Sequence, residues 1–229
     1  MPQIVKARSR RRPRGSLTRD HVVDAALALA DQRGLEALTI ANLAQQLQCG
    51  VMTIYGYVDS KEELLDAIAQ RGIRDLRLKP PLPANPEGIL IAWGRALRQT
   101  LLEHPALPFL FLVRAVVGPG IVRGVEMLLN RLTNGGMSAP DAVHAIYAVV
   151  IYAAGYAAWE IPRTVLQKPD QYAMSWRREL AALSPIEIPL ASQMVEELSN
   201  VAGPGQFEIG LIALASGIAR ARGAPRAHS

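Results

Sequence analysis

The chain has 229 residues, half of them hydrophobic and 5% aromatic, with one cysteine and a formal net charge of +5. The lone cysteine, Cys49, excludes an internal disulfide and fits a reducing compartment. A core drawn mainly from Ala, Leu, Ile and Val reads as all-α.

The charge is concentrated at the front. Lys6, Arg8, Arg10, Arg11, Arg12 and Arg14 lie in residues 1–14 with no acid among them, so the rest of the chain is nearly neutral. Residues 1–16 read as a basic arm, disordered when free, because like charges repel and nothing apolar is there to bury. Pro13-Arg14-Gly15-Ser16 follows the charges where a secretory leader needs an apolar run.

Residues 17–78 read as the first folded domain. Thr18 is placed to cap a helix that carries Val22, Ala26 and Leu29 on one stripe and ends at Gly34. Thr39 caps the next. Ile40, Leu43, Ala44 and Leu47 fall on one helical face, and Val51, Ile54, Tyr55 and Val58 repeat the spacing after Gln48-Cys49-Gly50. Two helices of about two turns, joined so tightly, form a helix-turn-helix, whose second helix is free to enter a major groove. Cys49 sits in the turn, where a structural role is expected. Ser60-Lys61-Glu62-Glu63 reads as a capping box that opens a helix running to about Leu78. Lys79-Pro80-Pro81-Leu82-Pro83 stops that helix and forms a stiff boundary.

Residues 85–223 read as a larger helical bundle. Asn85-Pro86 opens a helix with Ile89, Trp93, Ala96, Leu97 and Thr100 inward, ending at His104-Pro105. Leu107 to Val117 is a short apolar segment. Ile121, Val125, Leu128 and Leu132 mark a helix ended by Asn134-Gly135-Gly136. Ser138-Ala139-Pro140-Asp141 opens a long apolar helix closed by Pro162. Within it, Ala142 to Trp159 has the length of a membrane span, with only His144 ionisable. Its modest hydrophobicity and the absence of a cationic flank favour a helix buried at a subunit interface instead. Weak periodicity over 163–185 leaves one short helix near Trp176 to Leu183. Pro189 to Val201 reads as a helix through Leu190, Met194 and Leu198. The last helix carries Phe207, Leu211, Leu214 and Ile218 on one face and Ile209, Ile212 and Ala213 on the other. Gly223 to Ser229 reads as a frayed tail. Two long helices that need cover on both sides imply a partner subunit.

Leu43, Ala44, Leu47, Thr53, Ile54, Tyr55, Lys61, Leu64 and Leu65 match in type and spacing the core of the tetracycline-repressor (TetR) family of bacterial one-component regulators. The sequence resembles that family over Leu17 to about Leu76. Gln48, Cys49, Tyr57 and Val58 stand where the family usually has glycine, valine, histidine and phenylalanine. Beyond this stretch only Phe207 to Leu214 is similar, to the family's closing helix. The resemblance implies operator DNA as partner, with Thr53, Tyr55, Tyr57 and Lys61 on phosphates. It implies dimerisation through a four-helix bundle of the eighth and last helices. It also implies a small apolar or amphipathic effector held in the helical body.

The residue chemistry suits those tasks. Hydroxyls donate to phosphate oxygens, and Lys61 adds charge at the start of a helix. Base reading falls to Met52, Gly56 and Asn42. Arg10, Arg11, Arg12 and Arg14 either enter a minor groove or act as a nonspecific tether. Trp93, His104, Phe109, Tyr147 and Tyr152 supply stacking and polar contacts for an effector. His21, His104, His144 and His228 are scattered, with no metal-ligand pair, cysteine cluster or phosphate-binding glycine loop, so no catalytic centre, cofactor or metal is expected. The reading is a cytoplasmic, homodimeric, ligand-responsive repressor. Its alternative is an architectural DNA-binding protein without an effector.

Overall fold

A computed structural model describes residues 17–74, 76, 78–166 and 170–221. The arm residues Arg10, Arg11, Arg12 and Arg14 and the tail 223–229 lie outside the described residues. Twelve helices and no strand are present among the described residues. The chain divides into two compact units, Met1–Gly72 and Ile73–Ser229.

The first unit holds α1 (Arg19–Arg33), α2 (Ile40–Gln46), α3 (Val51–Tyr55) and most of α4 (Lys61–Arg74). Its caps follow the sequence reading. Thr18 accepts from the His21 N–H at 3.2 Å and Thr39 from the Asn42 N–H at 3.1 Å, caps of a kind that stabilise by about 1 kcal/mol each. Gly34 ends α1 at φ 83°, a conformation that costs a side chain strain. Val22, Ala26, Leu29, Leu38, Leu43, Ile54, Leu64 and Ile68 are fully buried and form one core. Two expectations change. α4 stops at Arg74, not Leu78, and the Leu76 N–H closes a tight turn onto the Ile73 carbonyl at 2.9 Å. At its start, Ser60 Oγ accepts from the Glu63 N–H at 3.0 Å, but the Glu63 carboxylate reaches one residue past the expected partner, to the Asp59 N–H at 2.5 Å.

The second unit continues with α5 (Pro86–Glu103), α6 (Leu107–Val113), α7 (Pro119–Asn134) and α8 (Ala139–Thr164). It closes with α9 (Gln171–Ala181), α10 (Pro189–Gln193), α11 (Val195–Ser199) and α12 (Pro204–Arg220). α5, α8 and α12 pack together around Leu90, Leu97, Val149, Ala153, Phe207 and Leu211. Close approach is built into two glycines. A Cβ on Gly94 would meet Leu211 Cδ1 at 2.5 Å, and one on Gly210 would overlap the Tyr152 hydroxyl. Asn85 caps α5 by accepting from the Gly88 N–H at 2.7 Å.

Pro162 does not close α8; it lies inside the helix. Proline removes one helical N–H, and the next residues bond the neighbouring carbonyls. Arg163 Nη1 donates to the Trp159 carbonyl at 2.5 Å and Thr164 Oγ1 to the Glu160 carbonyl at 3.1 Å. Buried Ala157 and Ile161 keep that end packed. α9 begins five residues before the expected short helix and buries only Ala173. The single helix expected over Pro189 to Val201 is two, broken at Met194 (φ −107°, ψ 28°). Leu190 and Met194, expected inward, are exposed, so no buried apolar stripe holds this segment straight.

Candidate nucleic-acid interface

The turn before α3 decides how that helix is presented. The Cys49 N–H donates back to the Ala44 carbonyl at 3.0 Å and the Gln48 N–H to the Gln45 carbonyl at 3.1 Å. This paired closure of a helix C-terminus needs one left-handed residue, usually glycine. Gln48 fills the position at φ 54°. Cys49 beside it is half-buried, and burial pushes its thiol pKa up, away from reactivity.

α3 is anchored by Ile54, and by Val58 just beyond it, which are 0% and 1% exposed. The opposite face is open. Met52 is 79% exposed, Tyr55 44%, and Val51, Thr53 and Gly56 are exposed with them. Lys61 is exposed at the first position of α4. Met52, Thr53, Tyr55, Gly56 and Lys61 therefore all present to solvent around one short helix and the start of the next. Tyr55 is not a core residue.

Two expected DNA contacts are engaged internally. Asn42 Nδ2 donates to the Ala37 carbonyl at 2.7 Å, holding the loop before α2. The Tyr57 hydroxyl donates to the Leu17 carbonyl at 2.8 Å, so its proton is committed within the domain and only its lone pairs remain for other contacts. Glu63 adds a second tie near the same end, pairing with Arg19 at 2.8 Å. Its pKa is held below the ordinary carboxylate value by the Asp59 N–H first and then by Arg19. The start of α1, which follows the arginine arm, is thus fixed to the turn after α3 and to α4. Neither tie was legible in the sequence, because both join residues more than 35 apart.

The family model for bacterial regulatory proteins of the tetR family matches residues 22–68, and that for the tetracyclin repressor-like C-terminal domain matches residues 82–222. The chain belongs to the TetR family. It is a DNA-binding transcriptional repressor of that family and not an enzyme, and its C-terminal domain is of the ligand-binding type. The HTH-type transcriptional repressor DrrR1 of Streptomyces coeruleorubidus is 31% identical over 184 residues, which covers 78% of this chain and 67% of that one. The tetracycline repressor protein class D of Escherichia coli is 30% identical over 212 residues, 88% of each. Among solved structures, apo ActR of Streptomyces coelicolor superposes with a TM-score of 0.74 at 25% identity, covering 89% of this chain and 95% of that one.

In the TetR C-terminal domain the five expected effector residues lie on α5, at its end, and on α6 and α8. Trp93 is buried on α5, with an indole N–H that has no hydrogen-bond partner. His104 is half-buried at the end of α5. Phe109 and Tyr147 are 45% and 61% exposed. Tyr152 stacks on Phe207 at 5.3 Å and donates to the Phe207 carbonyl at 3.0 Å. Sequence reasoning missed the polar residues beside it. Arg98 on α5 pairs with Glu160 on α8, with side chains only 14% and 3% exposed, and its guanidinium lies 5.1 Å from the Phe207 ring. Tyr156 donates to the Gly203 carbonyl at 2.7 Å. Burial pushes the pKa of both Tyr152 and Tyr156 up. The available signal was Glu160 itself, an acid within a long apolar helix.

Proposed function

We propose that this TetR-family protein is a cytoplasmic homodimer that holds its operator through two α2–α3 heads and releases it when a small apolar or amphipathic effector enters the helical body. Residues 1–16 serve as a basic arm, 17–78 as the DNA-binding domain and 85–223 as the effector and dimerisation domain. The observation that carries the reading is a pair of bare apolar stripes in the protomer. Val143, Tyr147 and Ile151 repeat every fourth residue on the outside of α8, and Ile209, Ile212 and Ala213 line the outside of α12. α8 and α12 pack on each other through their inner faces, so the stripes form a two-helix surface that a second copy covers isologously. Tyr147 belongs to this surface, not to an effector pocket.

At the heads, Thr53, Tyr55 and Lys61 contact phosphate, Met52 touches bases, and Gly56 lets the backbone come close. Asn42 and Tyr57 support these groups from behind. The arm arginines add charge. ActR, which shares 25% identity, was solved in complex with (S)-DNPA, which supports a small-molecule ligand for the related body here.

Two heads about 34–36 Å apart occupy successive major grooves. An effector that favours another spacing weakens DNA binding by its preference between the two states, typically about 1–3 kcal/mol, and DNA weakens effector binding equally. The test combines Ile151→Glu and Ile209→Glu, reading sedimentation and operator affinity. Monomers with lost operator affinity are expected. A wild-type chain that is monomeric at operator-binding concentrations overturns the dimer. Equal effector affinity for free and operator-bound protein overturns the sensor and leaves an architectural role.

A further inference from the structure

The exposed side of α3 is poor in the groups that read bases by hydrogen bonding. From Gly50 to Val58 the chain has no charged and no amide side chain. Arginine, lysine, asparagine and glutamine supply the bonds that tell one base pair from another, and carboxylates mark cytosine. None of these residue types is on the helix. The nearest amides are Gln45 and Gln46 in the last turn of α2 and Gln48 in the turn. In a helix-turn-helix that first helix crosses the sugar–phosphate backbone, and Gln46 Nε2 donates inward to the Ala25 carbonyl at 3.3 Å. Thr53 carries a hydroxyl, but a hydroxyl pairs with donors and acceptors alike and discriminates little.

What α3 offers the groove is apolar. Val51 and Met52 adjoin and are both exposed. Single exposed apolar side chains are ordinary on a surface. These two cannot turn inward, because Ile54 and Val58 are buried and fix the rotation of the helix. Met52 and Gly56 are four residues apart and share a face, so no side chain at Gly56 stands between Met52 and an approaching base edge. Val51 is β-branched and stiff; Met52 is flexible and polarizable and fits an irregular surface. Of the four bases only thymine places an apolar group in the major groove, its C5-methyl.

We propose that Val51 and Met52 read sequence by packing on thymine C5-methyl groups, so that thymine methyls specify the part of each operator half-site that faces α3. The inference rests on the reading of α2–α3 as the operator-holding head and names the chemical group on the operator that this head reads.

The probe is a duplex selected by the full-length protein from a random-sequence pool. It is made once with thymine and once with deoxyuridine at every thymine, which removes the methyls and keeps every base-pairing group. Wild type should bind the deoxyuridine duplex about fourfold more weakly per methyl lost from contact, the value of burying one carbon, and about fifteenfold more weakly for one methyl in each of two half-sites. The Val51→Ala, Met52→Ala double variant, confirmed folded by thermal melting, should bind the two duplexes within about twofold of each other, because the side chains coupled to the methyls are gone. Equal affinity of wild type for the two duplexes, or a loss that persists undiminished in the double variant, overturns methyl reading and leaves α2–α3 as the DNA-binding head. Selection that enriches no sequence overturns the head as well.

Discussion

The hydroxyl of Tyr57 donates to the main-chain carbonyl of Leu17 at 2.8 Å, across 40 residues of sequence. It fastens the entry to α1 to the turn that follows the recognition helix. A partly buried hydrogen bond of this kind contributes about 1 kcal/mol. Tyr57→Phe should therefore lower stability by about that amount in urea unfolding and loosen α1's first turn. A variant with unchanged stability and only weakened DNA binding would assign the hydroxyl to phosphate instead.

Gln48 occupies the left-handed cap position at φ 54°. A side chain there costs about 1 kcal/mol that glycine avoids, offset in part by glycine's greater freedom when unfolded. Gln48→Gly should raise the urea midpoint modestly, and Gln48→Val, β-branched, should lower it. A midpoint that falls with glycine would show that the Gln48 side chain makes a stabilising contact.

Lys61 is exposed and heads α4 beside α3. A phosphate contact carries charge but no sequence information. Lys61→Ala should weaken binding to all DNA sequences alike and reduce the slope of log affinity against log salt by about one. A loss confined to the operator, with the slope unchanged, would make Lys61 a base reader.

The Arg98–Glu160 pair joins α5 to α8 with side chains only 14% and 3% exposed. Removing one partner strands a charge in low dielectric, at a cost of about 3–5 kcal/mol. Glu160→Ala should destabilise by that order in denaturant unfolding. By contrast, Glu179→Ala breaks a pair whose side chains are 76% and 68% exposed and should change stability by less than about 1 kcal/mol. Similar losses at the two sites would show that solvent screens the inner pair as well.

Glu63 and Glu208 are held below the ordinary carboxylate pKa, the first chiefly by the Asp59 N–H and then Arg19, the second chiefly by Arg95. A depressed folded-state pKa adds stability that is present above the unfolded value, about 4.3, and is lost as pH falls through the folded value. Stability measured from pH 7 downward should therefore decline through the carboxylate range. The Glu63→Gln, Glu208→Gln double variant should show a shallower decline, and an identical pH profile would remove these two groups from the acid response.

The helices of the first unit were legible because local signals agree there. Thr18, Thr39 and Gly34 mark ends, and Ile40 to Leu47 and Val51 to Val58 carry a helical period that needs no distant partner. The same period put Val51, Ile54, Tyr55 and Val58 on one face of the second segment, of which Ile54 and Val58 are buried while Val51 and Tyr55 are 42% and 44% exposed. The outer face of the last helix, Ile209, Ile212 and Ala213, was also written in sequence, whereas the exposed stripe Val143-Tyr147-Ile151 was not, since Tyr147 reads there as an effector residue.

Tertiary structure alone decided the rest. Pro162 reads as a stop because proline lacks an N–H, yet Arg163 and Thr164 bond the adjoining carbonyls and packing carries α8 two residues further. Leu190 and Met194 have the spacing of an inner face and lie outside, and no residue of α10 is buried. Asn42 and Tyr57 carry the groups that nucleic-acid contacts use, but whether a hydrogen-bonding group faces outward depends on which carbonyls the fold brings within 3 Å, here those of Ala37 and Leu17. Glu160 meets Arg98 across 62 residues. Periodicity specifies the face of a helix; the partner of that face is a long-range fact, set only when the helices pack.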